Sequence, residues 1–122
     1  EIESPDDKLM NRIMKVINGN LSNPNLTVEM IANEVGTSRV HLNRKLKELT
    51  NQTAREFIKN CRLKQAAELL SQKKQNITEI AELTGFNNPN NFSTAFKELF
   101  GVSPSAYKEY LDTKKENEET QS

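Results

Sequence analysis

Apolar side chains recur at helical spacing in short blocks along the chain, and residues that favour caps and turns separate the blocks. The first block begins at Ser4 and Pro5, which suit an N-cap and a first helical turn, and it ends near Gly19. Its apolar stripe consists of Leu9, Ile13, Val16 and Ile17. Similar blocks follow as far as residue 111, so the pattern predicts an all-α fold.

Part of this pattern returns about fifty residues later. Ile31, Ala32 and Gly36 return as Ile80, Ala81 and Gly85, at an offset of 49 residues. Beyond the glycine the offset is 50, and the segments 46–49 and 53–57 return as 96–99 and 103–107. Each copy predicts a short helix capped by Thr27 or Thr78, a glycine turn, a second helix and the start of a third. This is the helix-turn-helix arrangement, and a tandem pair indicates the reading of two adjacent major grooves of DNA.

The segment between the copies predicts the longest helix, at about 53–72, because it contains no glycine or proline. Thr53 and Glu56 have the spacing of a capping box, and apolar residues cover much of the helix circumference. Twenty helical residues span roughly 30 Å, close to the roughly 34 Å of one turn of B-DNA. We therefore expect a first helix-turn-helix subdomain at 1–52, a linker helix at 53–72, a second subdomain at 73–112 and a charged, disordered tail at 113–122.

Charge is distributed unevenly in a chain whose net charge is zero. The segment 39–64 holds eight basic residues against Glu48 and Glu56, a net charge of +6, whereas both ends of the chain are acidic. Such a local basic surface is typical of nucleic-acid binding, although a solvated helix surface would give the same count. The chain has no run of eighteen apolar residues and no signal-peptide pattern, and Cys61 is its single cysteine. We expect a cytoplasmic protein without membrane contact.

The first predicted recognition helix, at about 38–49, has an apolar side and a polar side. Leu42, Leu46 and Leu49 fall within about 60° of one another on a helical wheel and form the core side. The predicted base contacts are Val40, Asn43 and Arg44 on the opposite side and Arg39 on its flank. Arginine pairs bidentately with guanine, asparagine pairs with adenine, and an apolar side chain meets a thymine methyl group. The predicted phosphate contacts, which position the helix without reading bases, are Ser38, His41 and Lys47.

The offset of 50 maps this polar face onto the second predicted recognition helix, at about 88–100. Val40, Asn43, Arg44 and Lys47 correspond to Asn90, Ser93, Thr94 and Lys97, with Phe92, Phe96 and Leu99 on the core side. We expect Asn90 and Thr94 to contact bases and Ser93 and Lys97 to contact phosphates. Only one of these four side chains is charged, and the segment 77–111 has a net charge of −2. The first copy should therefore supply most of the affinity, and the second should tune the sequence preference.

The chain offers few candidates for catalysis or metal binding. His41 and Cys61 lie on different predicted helices and do not form a metal site between them. We expect His41 to pack or to contact a phosphate, and Cys61 to be a small core residue. The sequence contains no P-loop, no metal-ligand cluster and no nucleophile paired with a base. It therefore predicts no catalytic residue, no metal, no cofactor and no enzymatic activity.

Over roughly residues 9–111 the chain resembles the DNA-binding domain of the AraC/XylS family of bacterial transcription regulators. The resemblance rests on Ile31-Ala32, Gly36-Thr37-Ser38, His41-Leu42 with Arg44, Phe57-Ile58, Arg62-Leu63 with Ala66, Ile80-Ala81, Gly85-Phe86, Phe92-Ser93, Phe96-Lys97 and Gly101-Val102-Ser103-Pro104. It implies seven helices, two helix-turn-helix units joined by a long helix, and binding along one face of double-stranded DNA. Among the base-reading residues it adds Asn91, at a position where many members have an aromatic residue; many also have a basic residue at Thr94.

The segment from about residue 20 to residue 52 also resembles output domains of hybrid two-component regulators, in which sensor, kinase and regulator share one chain. This resemblance implies a C-terminal fragment of a longer, membrane-anchored or cytoplasmic protein that dimerises through regions absent here. Carbohydrate-use operons are the targets that the resemblance implies, and we expect RNA polymerase as a second partner because an activator must contact it.

A different class of function fits part of the same pattern. A helical protein–protein interaction module could keep this fold, bind polymerase or a partner regulator, and bind DNA only weakly. The neutral net charge and the acidic second copy favour that alternative, whereas the +6 segment and the polar face of the first recognition helix oppose it.

Overall fold

A computed structural model describes residues 3–121 of the chain, with side-chain surroundings described through residue 114. The described residues form helices and no strand: α1 (Pro5–Asn18), α2 (Val28–Val35), α3 (Arg39–Thr50), α4 (Ala54–Gln72), α5 (Ile77–Leu83), α6 (Pro89–Phe100) and α7 (Pro104–Gln121). The predicted all-α fold with seven helices is confirmed. Helix α7 includes the segment 113–121, which we expected to be disordered. That segment is rich in lysine and glutamate and lacks glycine and proline, a composition that favours helix.

Two compact units divide the chain between Arg62 and Leu63, inside α4. The N-terminal half of α4 contributes Ala54 and Ile58 to the core of the first unit. The C-terminal half contributes Leu63, Ala66 and Leu70 to the core of the second. The two halves of α4 therefore belong to different cores, in keeping with the apolar residues around much of its circumference.

Aliphatic side chains fill the core of the first unit. Its fully or almost fully buried residues come from α1, α2 and α3 as well as α4, and include Ile13, Ile17, Ile31, Ala32, Val35, Leu42 and Leu46. Phe57 and Cys61 pack against this cluster while partly exposed, so Cys61 is the small core-side residue that the sequence predicts. Helices α2 and α3 are the helix-turn-helix pair of this unit.

Aromatic side chains fill much of the core of the second unit. The ring centroids of Phe86 and Phe92 lie 5.2 Å apart, and those of Phe92 and Phe96 lie 5.8 Å apart. Phe96 also contacts Phe100 at 4.5 Å and Tyr107 at 5.6 Å, which ties α6 to the first turn of α7. Tilted contacts at these distances are the favoured arrangement of aromatic pairs.

The two glycine turns are built by the same hydrogen bonds. The N–H of Thr37 donates to the carbonyl of Ala32, and the N–H of Phe86 donates to that of Ala81, each at 2.9 Å. Gly36 and Gly85 have φ angles of 77° and 83°, the left-handed conformation that glycine adopts without steric cost. The offset of 49 seen in the sequence is thus also the offset of the hydrogen bonds that close the two turns.

The N-cap of α5 differs from the sequence prediction. Asn76, not Thr78, is the cap: its side chain accepts from the N–H of Glu79 at 2.8 Å, and Glu79 accepts from the N–H of Asn76 at 3.0 Å. This reciprocal pair satisfies two backbone donors at the start of the helix. Asn76 also lies 49 residues after Thr27, which caps α2 as predicted.

The ends of the two recognition helices differ from prediction in the same way. Leu49 and Leu99, expected on the core side, are 37% and 39% exposed. A helical wheel gives the side of a helix on which a residue lies but not how much of that side the neighbouring helices cover. Both leucines lie in the last turn of their helix, beyond the fully buried residues Leu46 and Phe96.

Candidate nucleic-acid interface

Hydrogen bonds at both ends of helix α3 and the burial of its apolar side fix its orientation in the first unit. Its polar face is therefore the exposed one. The Ser38 hydroxyl accepts from the N–H of His41 at 3.1 Å, which caps the first turn. Leu42 and Leu46 are fully buried and hold the opposite side of the helix in the core. At the other end Asn51, with φ 59°, donates its N–H to the carbonyl of Lys47 and ends the helix.

Contacts from α1 hold this helix pair in place. Arg12 donates to the carbonyl of Val35 at 2.9 Å, which satisfies the last carbonyl of α2 beside the glycine turn. The Lys45 ammonium lies 3.2 Å from the Asp6 carboxylate of α1 and 3.8 Å from Glu48. Lys45 is therefore an ion-paired, partly buried residue and not part of the exposed basic face.

The residues predicted to meet DNA lie together on the exposed side of α3. Val40 is 74% exposed, so its side chain is accessible for contact with a thymine methyl group. Arg39, Arg44 and Lys47 are exposed, and Asn43 is partly exposed. Ser38 is exposed, while His41 is partly buried at the edge of this face.

Arg44 and His41 are joined to each other. The Arg44 Nη2 donates to the His41 Nδ1 at 2.9 Å, a contact that spans three residues along α3. Arginine has five donor hydrogens in a planar fork, so this single contact leaves donors for a base or a phosphate.

Helix α6 of the second unit presents an equivalent face with less charge. The Asn88 side chain accepts from the N–H of Asn90 at 2.8 Å, and Pro89 occupies the first helical position. Phe92, Ala95 and Phe96 are buried. The predicted contacts Asn90, Asn91, Thr94 and Lys97 are exposed, and Ser93 is partly exposed. All five predicted contacts of the second unit are thus exposed or partly exposed, and Lys97 is the one cation among them.

Arg62 is an interior residue that the sequence analysis counted in the basic surface. Its side chain is 7% exposed and donates to the carbonyls of Leu21 and Asn23, the latter at 2.9 Å. Burial lowers the pKa of its guanidinium, by removing water from the charged form. Arg62 lies four residues from Ile58 and from Ala66, both buried, so its place on the α4 wheel could have shown that it points inward.

The exposed basic face is consequently smaller than the count along the sequence. With Lys45 ion-paired and Arg62 buried, the exposed cations of the segment 39–64 are Arg39, Arg44, Lys47, Arg55, Lys59 and Lys64. Three of the six lie on α3. Within the described part of the chain no cluster of three or more metal-ligating side chains is present, and no helix among residues 3–121 has the length and apolar character needed to cross a membrane.

Comparisons with known proteins agree with this arrangement. A family model described as a helix-turn-helix domain matches residues 31–110. The chain is 40% identical over 106 residues to histidine kinase P4 of Formosa agariphila, a match that covers 87% of this chain but 8% of that protein. It is 32% identical over 104 residues to the "Probable transcription factor PqrA" of Proteus vulgaris, covering 84% of this chain and 85% of that one.

Solved structures share the fold. The C-terminal domain of AraT, a response regulator from Geobacillus stearothermophilus, has a TM-score of 0.78 and 34% identity, with 88% of each chain covered. The DNA-binding domain of AdpA, solved with a target DNA, has a TM-score of 0.77 and 24% identity and covers 87% of this chain and 94% of that one. The family match over residues 31–110 and the similarity to PqrA show that the chain belongs to the AraC-type family of helix-turn-helix domains of transcription regulators.

Proposed function

We propose that this chain binds double-stranded DNA in a sequence-specific manner and serves as the output domain of a bacterial transcription regulator. The observation that carries the proposal is the exposed face of α3, where Arg44, Lys47 and the 74%-exposed Val40 lie opposite a fully buried leucine side. Cations supply affinity for the phosphate backbone, and the mixture of arginine, asparagine and valine supplies groups that distinguish base pairs. Membership of the AraC-type family and the AdpA domain solved with target DNA support it.

Within this function each predicted residue has a role. We assign base contacts to Arg39, Val40, Asn43 and Arg44 in the first unit and to Asn90, Asn91 and Thr94 in the second. We assign phosphate contacts to Ser38, His41, Lys47, Ser93 and Lys97. The exposure of these side chains on α3 and α6 supports the assignment, and the single cation on the second face supports a larger share of the affinity for the first unit.

The organisation and partners of the domain follow the same proposal. Residues 1–52 and 73–112 would act as the reading subdomains with the segment 53–72 as the helix between them, so that α3 and α6 enter successive major grooves. The domain would act in the cytoplasm, without catalytic activity of its own. RNA polymerase would be its second partner, and dimerisation would use other regions of the full-length protein. The similarity to a histidine kinase and to a response-regulator domain supports this placement at the output end of a signalling protein.

Selection from a random duplex pool, followed by fluorescence anisotropy across a salt series, tests the proposal. We expect enriched sites with two contacted segments about one helical turn apart. The logarithm of the binding constant should fall linearly with the logarithm of the salt concentration. A chain that enriches no sequence and binds duplexes without salt dependence would overturn the proposal and favour a protein-binding module.

A further inference from the structure

The contact between His41 and Arg44 fixes the tautomer of His41 and the direction of both side chains. Arginine only donates hydrogen bonds, so the His41 Nδ1, 2.9 Å from the Arg44 Nη2, is the acceptor. A neutral imidazole that accepts at Nδ1 carries its proton at Nε2. The two ring nitrogens of His41 therefore have different tasks: Nδ1 is occupied by Arg44, and Nε2–H is a donor.

The backbone on which this contact is built is held by the fold. The N–H of His41 donates to the Ser38 hydroxyl at 3.1 Å, and the next residue, Leu42, is fully buried. The imidazole is partly buried, whereas Arg44 is exposed. Because the His41 ring is partly buried on a capped first turn, it restricts the long, flexible Arg44 side chain more than solvent would.

We infer that His41 is a positioning residue for Arg44: its Nδ1 holds the guanidinium in one orientation before DNA arrives. The inference rests on the proposed function and, for His41 alone, replaces the phosphate contact assigned there by a positioning role. A free arginine samples many rotamers and must be ordered when it binds a base, and a side chain already held in place avoids much of that cost. The remaining donors of the fork stay available for the two acceptors of a guanine edge.

Charged groups around the pair do not replace this contact. Lys45, which follows on the same flank of α3, is paired both with Glu48 and with Asp6 of α1. The equivalents of His41 and Arg44 in the second unit are Asn91 and Thr94, which offer neither an imidazole nor a guanidinium. Preorganisation of an arginine by a histidine is therefore a property of the first unit.

Two amide substitutions separate a positioning role from a phosphate contact. In His41→Asn the amide oxygen occupies the place of Nδ1, so an acceptor for Arg44 is kept while the Nε2 donor is lost. In His41→Gln the amide nitrogen reaches the place of Nε2, so a phosphate donor is kept while the Nδ1 acceptor is lost. His41→Ala removes both.

The experiment measures binding of the whole chain to a selected duplex and to duplexes altered at the base pair whose discrimination depends on Arg44. We expect His41→Ala to lower that discrimination about three- to tenfold, the size of an ordinary pairwise coupling, while binding to unrelated duplexes and the salt slope stay unchanged. His41→Asn should restore the discrimination, and His41→Gln should not. In the Arg44→Ala background, His41→Ala should have no further effect at that base pair.

The outcomes that overturn the inference are distinct from those that overturn the proposed function. Rescue by His41→Gln but not by His41→Asn, with a salt slope lowered by His41→Ala, would assign His41 to a phosphate contact. Additive effects of His41→Ala and Arg44→Ala would show that the two side chains act independently. If Arg44→Ala left binding and base preference unchanged, the groove-reading role of α3 would fall together with this inference.

Discussion

The two units of this protein share one hydrogen-bonded frame but differ in core and in surface. The first unit has an aliphatic core with Phe57 as its aromatic residue and carries ten basic against eight acidic residues. The second unit contains the other six aromatic residues and carries seven basic against nine acidic residues. Caps and left-handed turns recur at offsets of 49 and 50 in both. The hydrogen-bonded frame thus depends on a few capping and turn positions. Core composition and surface charge can differ between the two units, so the units can contribute differently to DNA binding.

Leu42 and Phe92 occupy equivalent positions of the two cores, fifty residues apart, and both are fully buried. Replacing each by alanine compares how much the two cores contribute to the free energy of unfolding. We expect Leu42→Ala to lower the free energy of unfolding by about 2–5 kcal/mol and Phe92→Ala by about 3–5 kcal/mol. Phe92 should cost more because it also loses its ring contacts with Phe86 and Phe96. Urea denaturation followed by circular dichroism measures both. A larger loss for Leu42→Ala would show that the aromatic cluster is not the better-packed core.

The difference between the reading faces should be clearest at Arg44 and its equivalent Thr94. We expect Arg44→Ala to weaken binding to the selected site by about 1–3 kcal/mol and to relax the preference at one base pair. Thr94→Ala should have a smaller effect, because a threonine hydroxyl makes a neutral, single contact. Anisotropy with single-base-pair variants of the selected duplex measures both. A larger effect of Thr94→Ala would reverse the proposed division of affinity between the units.

Lys47 and Lys97 are cations at the same place on the two faces, and both are exposed. We expect each lysine-to-alanine change to weaken binding to all duplexes alike and to lower the salt slope by roughly one. Comparable decreases in the salt slope would show that both recognition helices lie against the phosphate backbone of DNA, even though their base contacts differ. An unchanged slope for Lys97→Ala alone would mean that the second unit does not touch the phosphates through α6.

The smallest expected effect concerns the residues that end α3 and α6, Asn51 and Gly101, with φ angles of 59° and 80°. A Cβ at Gly101 would meet no atom within 4 Å, so Gly101→Ala should cost only the conformational penalty of about 1–2 kcal/mol. Asn51→Gly should stabilise the first unit by less than that, because asparagine already tolerates this conformation. Thermal unfolding shows whether each of the two variants is more or less stable than the unmodified protein. Destabilisation by Asn51→Gly would show that the asparagine side chain contributes beyond its φ angle.

Most of the frame and of the interface could be predicted from the sequence, because both depend on short spacings. Ser38 and Asn88, at which the two predicted recognition helices begin, are their N-caps, and Val40 and Arg44 lie on the side that a wheel gives them. The exception among the caps, Asn76 in place of Thr78, was also a local signal, since the offset of 49 from Thr27 identifies it. Its misassignment came from a second plausible capping residue nearby and not from tertiary structure.

What the sequence by itself determined is therefore the helices, the tandem repeat and the faces of the two recognition helices, because hydrogen bonds between near neighbours and a 3.6-residue period specify them. The tertiary structure decided which charges are exposed. Lys45 pairs with Asp6, thirty-nine residues away, and Arg62 reaches the carbonyls of a loop about forty residues away. It also decided how much of the last turn of each recognition helix the neighbouring helices cover, which leaves Leu49 and Leu99 partly exposed. Such contacts join segments that no local period connects, so they arise only when the helices pack.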